Sequence, residues 1–323
     1  MDHCGISRFI TTFFSIIAVI PSDNPSPERR DSVTVLTQDV RMTPEQREAF
    51  ERDGYIMLKG VLTSDEVSKY GAAIDRAYES EKEAGNLGID NSLHKLSAVT
   101  HCPELADLIN HPKTFPFVWE MIGWNIHIYH SHFDVHPPIE VPKPPRFEWH
   151  QDGGRQNREL ETDPRPRISV KVAYWLSDVS EPGRGNLKVV PGSHKTNWID
   201  GPPRRDMEWP DPEGAVEVIA EPGDAVFFDR RIWHARSNNY SDLTRKVVFL
   251  GYLPRWIHIR DEVADLPQQP WWNDLDDVQK QLLGAFGNGD GDHQWGHYPK
   301  DVPLYNWLAE RDLFNPNNPP LKA

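Results

Sequence analysis

The chain is 323 residues long and carries 35 Lys and Arg against 49 Asp and Glu, a formal net charge of -14. That balance argues against a general nucleic-acid binder, and the length allows one large domain or two ordinary ones. Hydrophobic residues make up 38% and include 12 Trp and 13 Phe, enough for a sizeable core, while two cysteines, Cys4 and Cys102, exclude a disulfide framework and fit a reducing compartment.

In chain order, Phe9 to Ile20 is mostly apolar but too short to span a membrane as a helix. Only Arg8 precedes it as a basic residue, and no clear small-x-small cleavage site follows. Residues 1–41 therefore read as a disordered or mis-started extension rather than an export signal, an interfacial anchor being the third option. A cytoplasmic location is expected, with export as its alternative. Thr43-Pro44-Glu45-Gln46 supplies a capping hydroxyl, a first-turn proline and a capping-box glutamine, so a helix starts there. A short strand, Tyr55 to Leu58, follows Asp53-Gly54. Thr63-Ser64-Asp65-Glu66 opens a second helix, with Val67, Tyr70, Ile74, Ala77 and Tyr78 at helical spacing. Further helices are expected over Pro103 to Ile109 and around Phe115 to Met121.

From about residue 124 the pattern turns to strands. Asn125 to Val135 and Ile168 to Leu176 alternate with period two. Shorter strands are expected at Leu187 to Val190, Val216 to Ile219, Ala225 to Phe228, Ile232 to Ala235 and Lys246 to Leu253. Many short strands with Gly/Pro turns imply a sandwich or barrel. The tail adds helices near Asp276 to Ala285 and Leu304 to Arg311, around a glycine-rich loop from Gly287 to Gly291.

His150, Asp152 and His234 carry the candidate chemistry. Two imidazoles and one carboxylate can hold one face of a ferrous ion and leave other positions open. His-x-acid is weak by itself: with 14 His and 49 acidic residues about two such pairs are expected by chance. Two occur, His132-Phe133-Asp134 and His150-Gln151-Asp152, so context must choose. The second runs into Gly153-Gly154, where the backbone can turn tightly. The first lies in the alternating run His130, His132, Asp134, His136, which reads as a polar sheet face or a cavity wall. If Asn238 to Asp242 makes a hairpin, Arg245 lands on the strand beside His234, facing with Val247 and Phe249. An arginine there needs an anion: a bound dicarboxylate, a protein carboxylate, or a strand end that reaches water.

Four motifs in one order carry a resemblance. They are Trp149-His150-Gln151-Asp152-Gly153, Gly185 to Lys195, Pro222-Gly223-Asp224-Ala225-Val226-Phe227-Phe228, and Trp233-His234 with Arg245 eleven residues later. Over about residues 44 to 260 the chain resembles the phytanoyl-CoA dioxygenase family of Fe(II)/2-oxoglutarate-dependent oxygenases. The resemblance implies a mainly β double-stranded β-helix, a jelly-roll or cupin-like barrel with flanking helices. Residues 42–323 would then be a single catalytic domain, with a barrel core about 124–260 and a helical tail over 261–323.

It also implies roles. His150, Asp152 and His234 would be the metal ligands, and Arg245 would bind the distal carboxylate of 2-oxoglutarate. Tyr174 falls where the family often has an aromatic near the cosubstrate, and Lys95 matches by spacing a lysine that some members use there. The implied reaction hydroxylates an unactivated C–H bond of a small organic substrate, with Fe(II), 2-oxoglutarate and O2 consumed or used, succinate and CO2 released, and ascorbate supporting. Asp152, in place of a small residue, favours hydroxylation over halogenation. Trp149, Gln151 and Trp233 are candidates to support the ligands. Arg155, Arg158, Arg165 and Arg167 read either as a lip for an anionic substrate or as a solvated loop offset by Glu159, Glu161 and Asp163. His194 reads as a turn residue. A cupin-like metalloenzyme without 2-oxoglutarate and a non-catalytic β-barrel binding module are the alternatives. Neither a nucleic-acid partner nor a membrane span is expected.

Overall fold

The computed structural model describes residues 41–139, 149–153, 156–199, 211–285 and 302–313. The N-terminal extension, the glycine-rich loop at 287–291 and Arg155 lie outside the described residues. Two capped helices come first. Helix α1 (Pro44–Asp53) has the Thr43–Gln46 capping box and closes on Gly54, whose φ of 83° only glycine adopts freely. Strand β1 (Tyr55–Leu58) leads to α2 (Ser64–Glu83), capped by Thr63 and Glu66. Strand β2 (Leu93–Leu96), α3 (Ala98–His101), a 3-10 turn (Pro103–Leu108) and α4 (Phe115–Ile122) follow.

The strands form two antiparallel sheets. Strands β3 (Ile126–His136), β4 (Val170–Trp175), β7 (Ala225–Asp229) and β9 (Arg245–Pro254) make the body of a six-stranded sheet in the order β1-β7-β4-β9-β3-β2. Helix α5 (Gln156–Glu159) lies between β3 and β4 in the chain. The smaller sheet runs β6-β5-β8, from β6 (Val216–Glu217), β5 (Leu187–Val189) and β8 (His234–Arg236). Helices α6 (Asp277–Leu282) and α7 (Pro303–Glu310) complete the described chain.

Period-two alternation assigns the two faces of the large sheet. Val170, Val172, Tyr174, Phe227, Leu250 and Tyr252 pack with the helices, against Phe50, Ile74 and Phe115. Ala173, Trp175, Val226, Phe228 and Val247 point the other way and pack with Leu187 and Val189 of the small sheet. This is the jelly-roll arrangement, and its interior is where polar side chains collect. The sheet also takes in β1 and β2, both upstream of residue 124 where the barrel core was expected to begin. Among the described residues no helix is long and apolar enough to cross a membrane.

Candidate active site

The two histidines of the triad meet through the backbone. His150 N–H donates to His234 O at 3.0 Å and His234 N–H donates to His150 O at 2.9 Å, an antiparallel bridge that sets the rings 4.3 Å apart, centroid to centroid. Strand β8 presents His234 inward, and its Nδ1 lies 2.9 Å from Ile232 O. Burial, reinforced by His150, pulls the His234 imidazole down to about 4, so it is neutral at pH 7. Nδ1–H then donates to the carbonyl and leaves the Nε2 lone pair for the cavity.

Asp152 sits one alternation beyond His150 and is clamped through its main chain. Its N–H donates to Arg230 O at 3.0 Å, and its carbonyl accepts from Asn157 Nδ2 at 2.9 Å and Arg230 Nη1 at 3.1 Å. Gly153 follows with φ 111°, and an added Cβ would lie 2.0 Å from Arg230 Nη1, so the turn needs glycine. The intervening Gln151 points away from the cavity. Its Nε2 donates to Thr196 O at 2.9 Å and Arg231 O at 2.6 Å, and its Oε1 accepts from Arg165 at 3.0 Å. Burial raises the Asp152 carboxyl, but Lys171 and the two imidazoles more than offset this and hold it well below the usual carboxylate range.

Donor spacing separates two His/Asp clusters. His150, Asp152 and His234 each offer a ligand atom within 4.8 Å of the others, and so do His94, His132 and Asp134. In the first, His150 Nε2 stands 3.9 Å from Asp152 Oδ1 and His234 Nε2 stands 3.7 Å from Oδ2. Those gaps exceed hydrogen-bond length, so the donors surround a shared point. In the second, His94 Nδ1 is bonded to Asp134 Oδ1 at 2.7 Å, His132 Nδ1 to His130 Nε2 at 3.0 Å, and Arg245 takes Asp134 Oδ2 at 3.2 Å. The donor atoms of that cluster are thus taken up by hydrogen bonds among themselves and to His130 and Arg245. A borderline nitrogen-and-oxygen donor set suits a ferrous ion, and the first cluster fits one.

Arg245 faces the same cavity, 2% exposed, with its guanidinium over the Trp175 ring at 5.0 Å. Nη1 donates to Asp134 Oδ2 and to His136 Nδ1, the latter at 2.8 Å. Burial pulls the guanidinium down to about 10, still a cation at neutral pH. Nε is buried with no hydrogen-bond partner among the described residues, which is the kind of donor that an incoming carboxylate satisfies. Gly185 makes room: at φ 75° it would bring a Cβ within 2.9 Å of Arg245 Cδ.

The cavity, about 220 Å³, is lined by both clusters, by Arg245, Lys171, Arg236 and Arg260, and by the apolar Leu187, Phe228, Ala235 and Phe249. The run His130, His132, Asp134, His136 is therefore a cavity wall. Burial, joined by neighbouring cations, holds His130 down to about 3 and His132 and His136 well below their ordinary value.

Two expected cosubstrate residues lie elsewhere. Tyr174 faces the helices, fully buried, its Oη 2.6 Å from Thr114 Oγ1 and donating to Leu108 O at 3.0 Å. Lys95 also points outward, 2.6 Å from Glu81 of α2, and its neighbour His94 lines the cavity instead. Strand alternation decides both, since one step along a strand reverses the face. Two members of the basic stretch are structural: Arg165 holds Gln151 and Asn157 O, and Arg167 pairs with Glu51 and Asp229, while Arg158 is exposed. Trp149 Nε1 donates to Asp211, and Trp233 Nε1 is buried without a partner among the described residues. His194 packs against Gly54, its Nε2 3.2 Å from Glu51 O. Reasoning from sequence missed Lys171, whose Nζ stands 2.8 Å from Asp152 Oδ2. A lone lysine in the apolar run Val170 to Trp175 was the available signal.

The phytanoyl-CoA dioxygenase (PhyH) family model matches residues 50–247, more than half of the chain. An ectoine dioxygenase of Nocardia farcinica is 24% identical over 239 residues, covering 64% of this chain and 76% of that protein. The α-ketoglutarate-dependent carbocyclase SnoK of nogalamycin biosynthesis is 26% identical, with a TM-score of 0.53 over 70% of this chain and 90% of its own. EctD from S. alaskensis, solved with 2-oxoglutarate and 5-hydroxyectoine, shares the fold at 22% identity, with a TM-score of 0.54 over 73% of this chain and 84% of its own. The chain belongs to the phytanoyl-CoA dioxygenase family of non-haem iron, 2-oxoglutarate-dependent dioxygenases, which use Fe(II), 2-oxoglutarate and O2.

Proposed function

We propose that this chain hydroxylates an unactivated C–H bond of a small, polar and acidic organic substrate, with release of succinate and CO2. The observation that carries this reading is the meeting of His150, Asp152, His234 and Arg245 on one cavity. The two imidazoles and the carboxylate would hold the ferrous ion. Arg245, with its unsatisfied Nε, would take the distal carboxylate of 2-oxoglutarate. Bound iron with its cosubstrate and O2 supplies the C–H oxidation, while the protein supplies placement and shielding from water. Four cationic side chains against two carboxylates on the described wall support an acidic substrate. The enzyme would work in the cytoplasm, with ascorbate supporting turnover.

Purified protein with Fe(II), ascorbate and 2-oxoglutarate should release succinate slowly without substrate. His150→Ala, Asp152→Ala or His234→Ala should abolish that release. Arg245→Ala should raise the 2-oxoglutarate requirement by about tenfold or more, because a charge-assisted pair is lost. Wild-type behaviour of all four variants would overturn the assignment. Matched acids and amides, scored by stimulated succinate release, test the substrate class.

A further inference from the structure

We propose that Lys171 is an internal counter-cation of the iron centre, opposing metal binding while favouring 2-oxoglutarate. The proposal rests on the metal reading of the triad. Lys171 projects inward from the middle of the large sheet, opposite Phe228 on β7 and Gly251 on β9. It is 4% exposed. Its stem runs alongside Gly251, where an added Cβ would sit in ordinary contact with Lys171 Cε at 3.5 Å. A buried ammonium persists only when paired, and here the pair is Asp152 Oδ2 at 2.8 Å. That same oxygen stands 3.7 Å from His234 Nε2. One carboxylate thus serves both the ammonium and the metal-donor set.

Charge arithmetic gives the consequence. Lys171 and Asp152 cancel in the metal-free site. A divalent ion alone leaves an excess of two positive charges, and the dianionic cosubstrate returns the centre to neutrality. With the ammonium itself buried and 2.8 Å from Asp152 Oδ2, each of these steps is only partly screened by water. An ammonium fixed beside Asp152 repels the metal and attracts the dianion. Its loss should therefore move the two affinities in opposite directions, whereas loss of a merely packed side chain would weaken both.

The test uses the full chain without oxygen. Mn(II) affinity is measured by equilibrium dialysis without 2-oxoglutarate, and 2-oxoglutarate affinity by calorimetric titration of the Mn(II)-loaded protein. Lys171→Met should bind Mn(II) about tenfold more tightly and 2-oxoglutarate about tenfold more weakly, while Lys171→Arg, which keeps the charge, stays near wild type. Lys171→Gln, able to hydrogen-bond Asp152, is the second neutral variant should the methionine protein fail to fold. Parallel weakening of both ligands, or no change in either, overturns the proposal. Failure of wild type to bind Mn(II), or undiminished binding by His150→Ala and His234→Ala, overturns the metal reading beneath it.

Discussion

At the scale of single residues, facing decides function. Tyr174 and Lys171 belong to one strand, three positions apart, and end in different worlds. Tyr174 holds the helical layer through Thr114 and Leu108, while Lys171 reaches Asp152. Tyr174→Phe should accordingly cost about 1–2 kcal/mol of stability, the loss of a buried hydroxyl's bonds, and leave the 2-oxoglutarate requirement unchanged. Urea unfolding and succinate kinetics on one preparation check both halves. A raised cosubstrate requirement with unaltered stability would return Tyr174 to the cavity. Asp152 was legible because a histidine two positions away and a following glycine mark a turn that aims side chains together. Lys171 was not, because its partner lies in a remote loop.

At the scale of elements, the site depends on how β7 and β8 are anchored. Asp229 ends β7, fully buried, and accepts from Arg167 Nε at 2.7 Å, Arg231 Nη2 at 2.7 Å and Arg231 Nε at 2.8 Å. Arg167 continues to Glu51, so α1 is tied to the sheet end. Arg231 O in turn accepts from Gln151. Removing the carboxylate leaves Arg231 without its charge partner and takes one of two from Arg167, both guanidiniums being partly buried. Asp229→Ala should therefore lose about 3–5 kcal/mol of stability, measured by urea unfolding, well above a typical surface change. A loss under about 1 kcal/mol would show that the network is not a structural anchor. Strand β2 explains a missed element. Its four residues have little pattern of their own and become a strand only through pairing with β3, from Leu93↔Val135 to Leu96↔His132. Long or capped segments such as α1, α2 and β9 carry their signals locally and were legible.

At the scale of the whole molecule, a histidine-rich interior sets the acid limit. Burial holds His127 down to about 4 and His130 down to about 3, and His132 and His136 shift the same way. A histidine whose folded value is depressed favours unfolding as pH falls below its unfolded value near 6.5, since the unfolded chain binds the extra proton. Between pH 6.5 and 5 each such ring costs roughly 2 kcal/mol. Asp261 works in the opposite sense: burial pushes it up to about 6, so it regains stability as pH falls through that value. By pH 5 that return is roughly 1.4 kcal/mol, less than one histidine's loss. Chemical denaturation should show stability falling steadily from pH 7 to 5, and a flat profile would contradict the buried, neutral wall.

By itself the sequence determined a strand-rich sandwich or barrel, the strand alternation, the capped helices and the order of the motifs, because each is written in neighbouring residues; the resemblance those motifs carry chose the barrel. Tertiary structure decided which faces turn inward. It put His136 and Asp134 on Arg245, put Lys171 on Asp152, and turned Tyr174 and Lys95 out toward the helices. The reason is geometric: a strand's side chains alternate with a period of two, and only pairing with distant strands chooses which set meets the cavity.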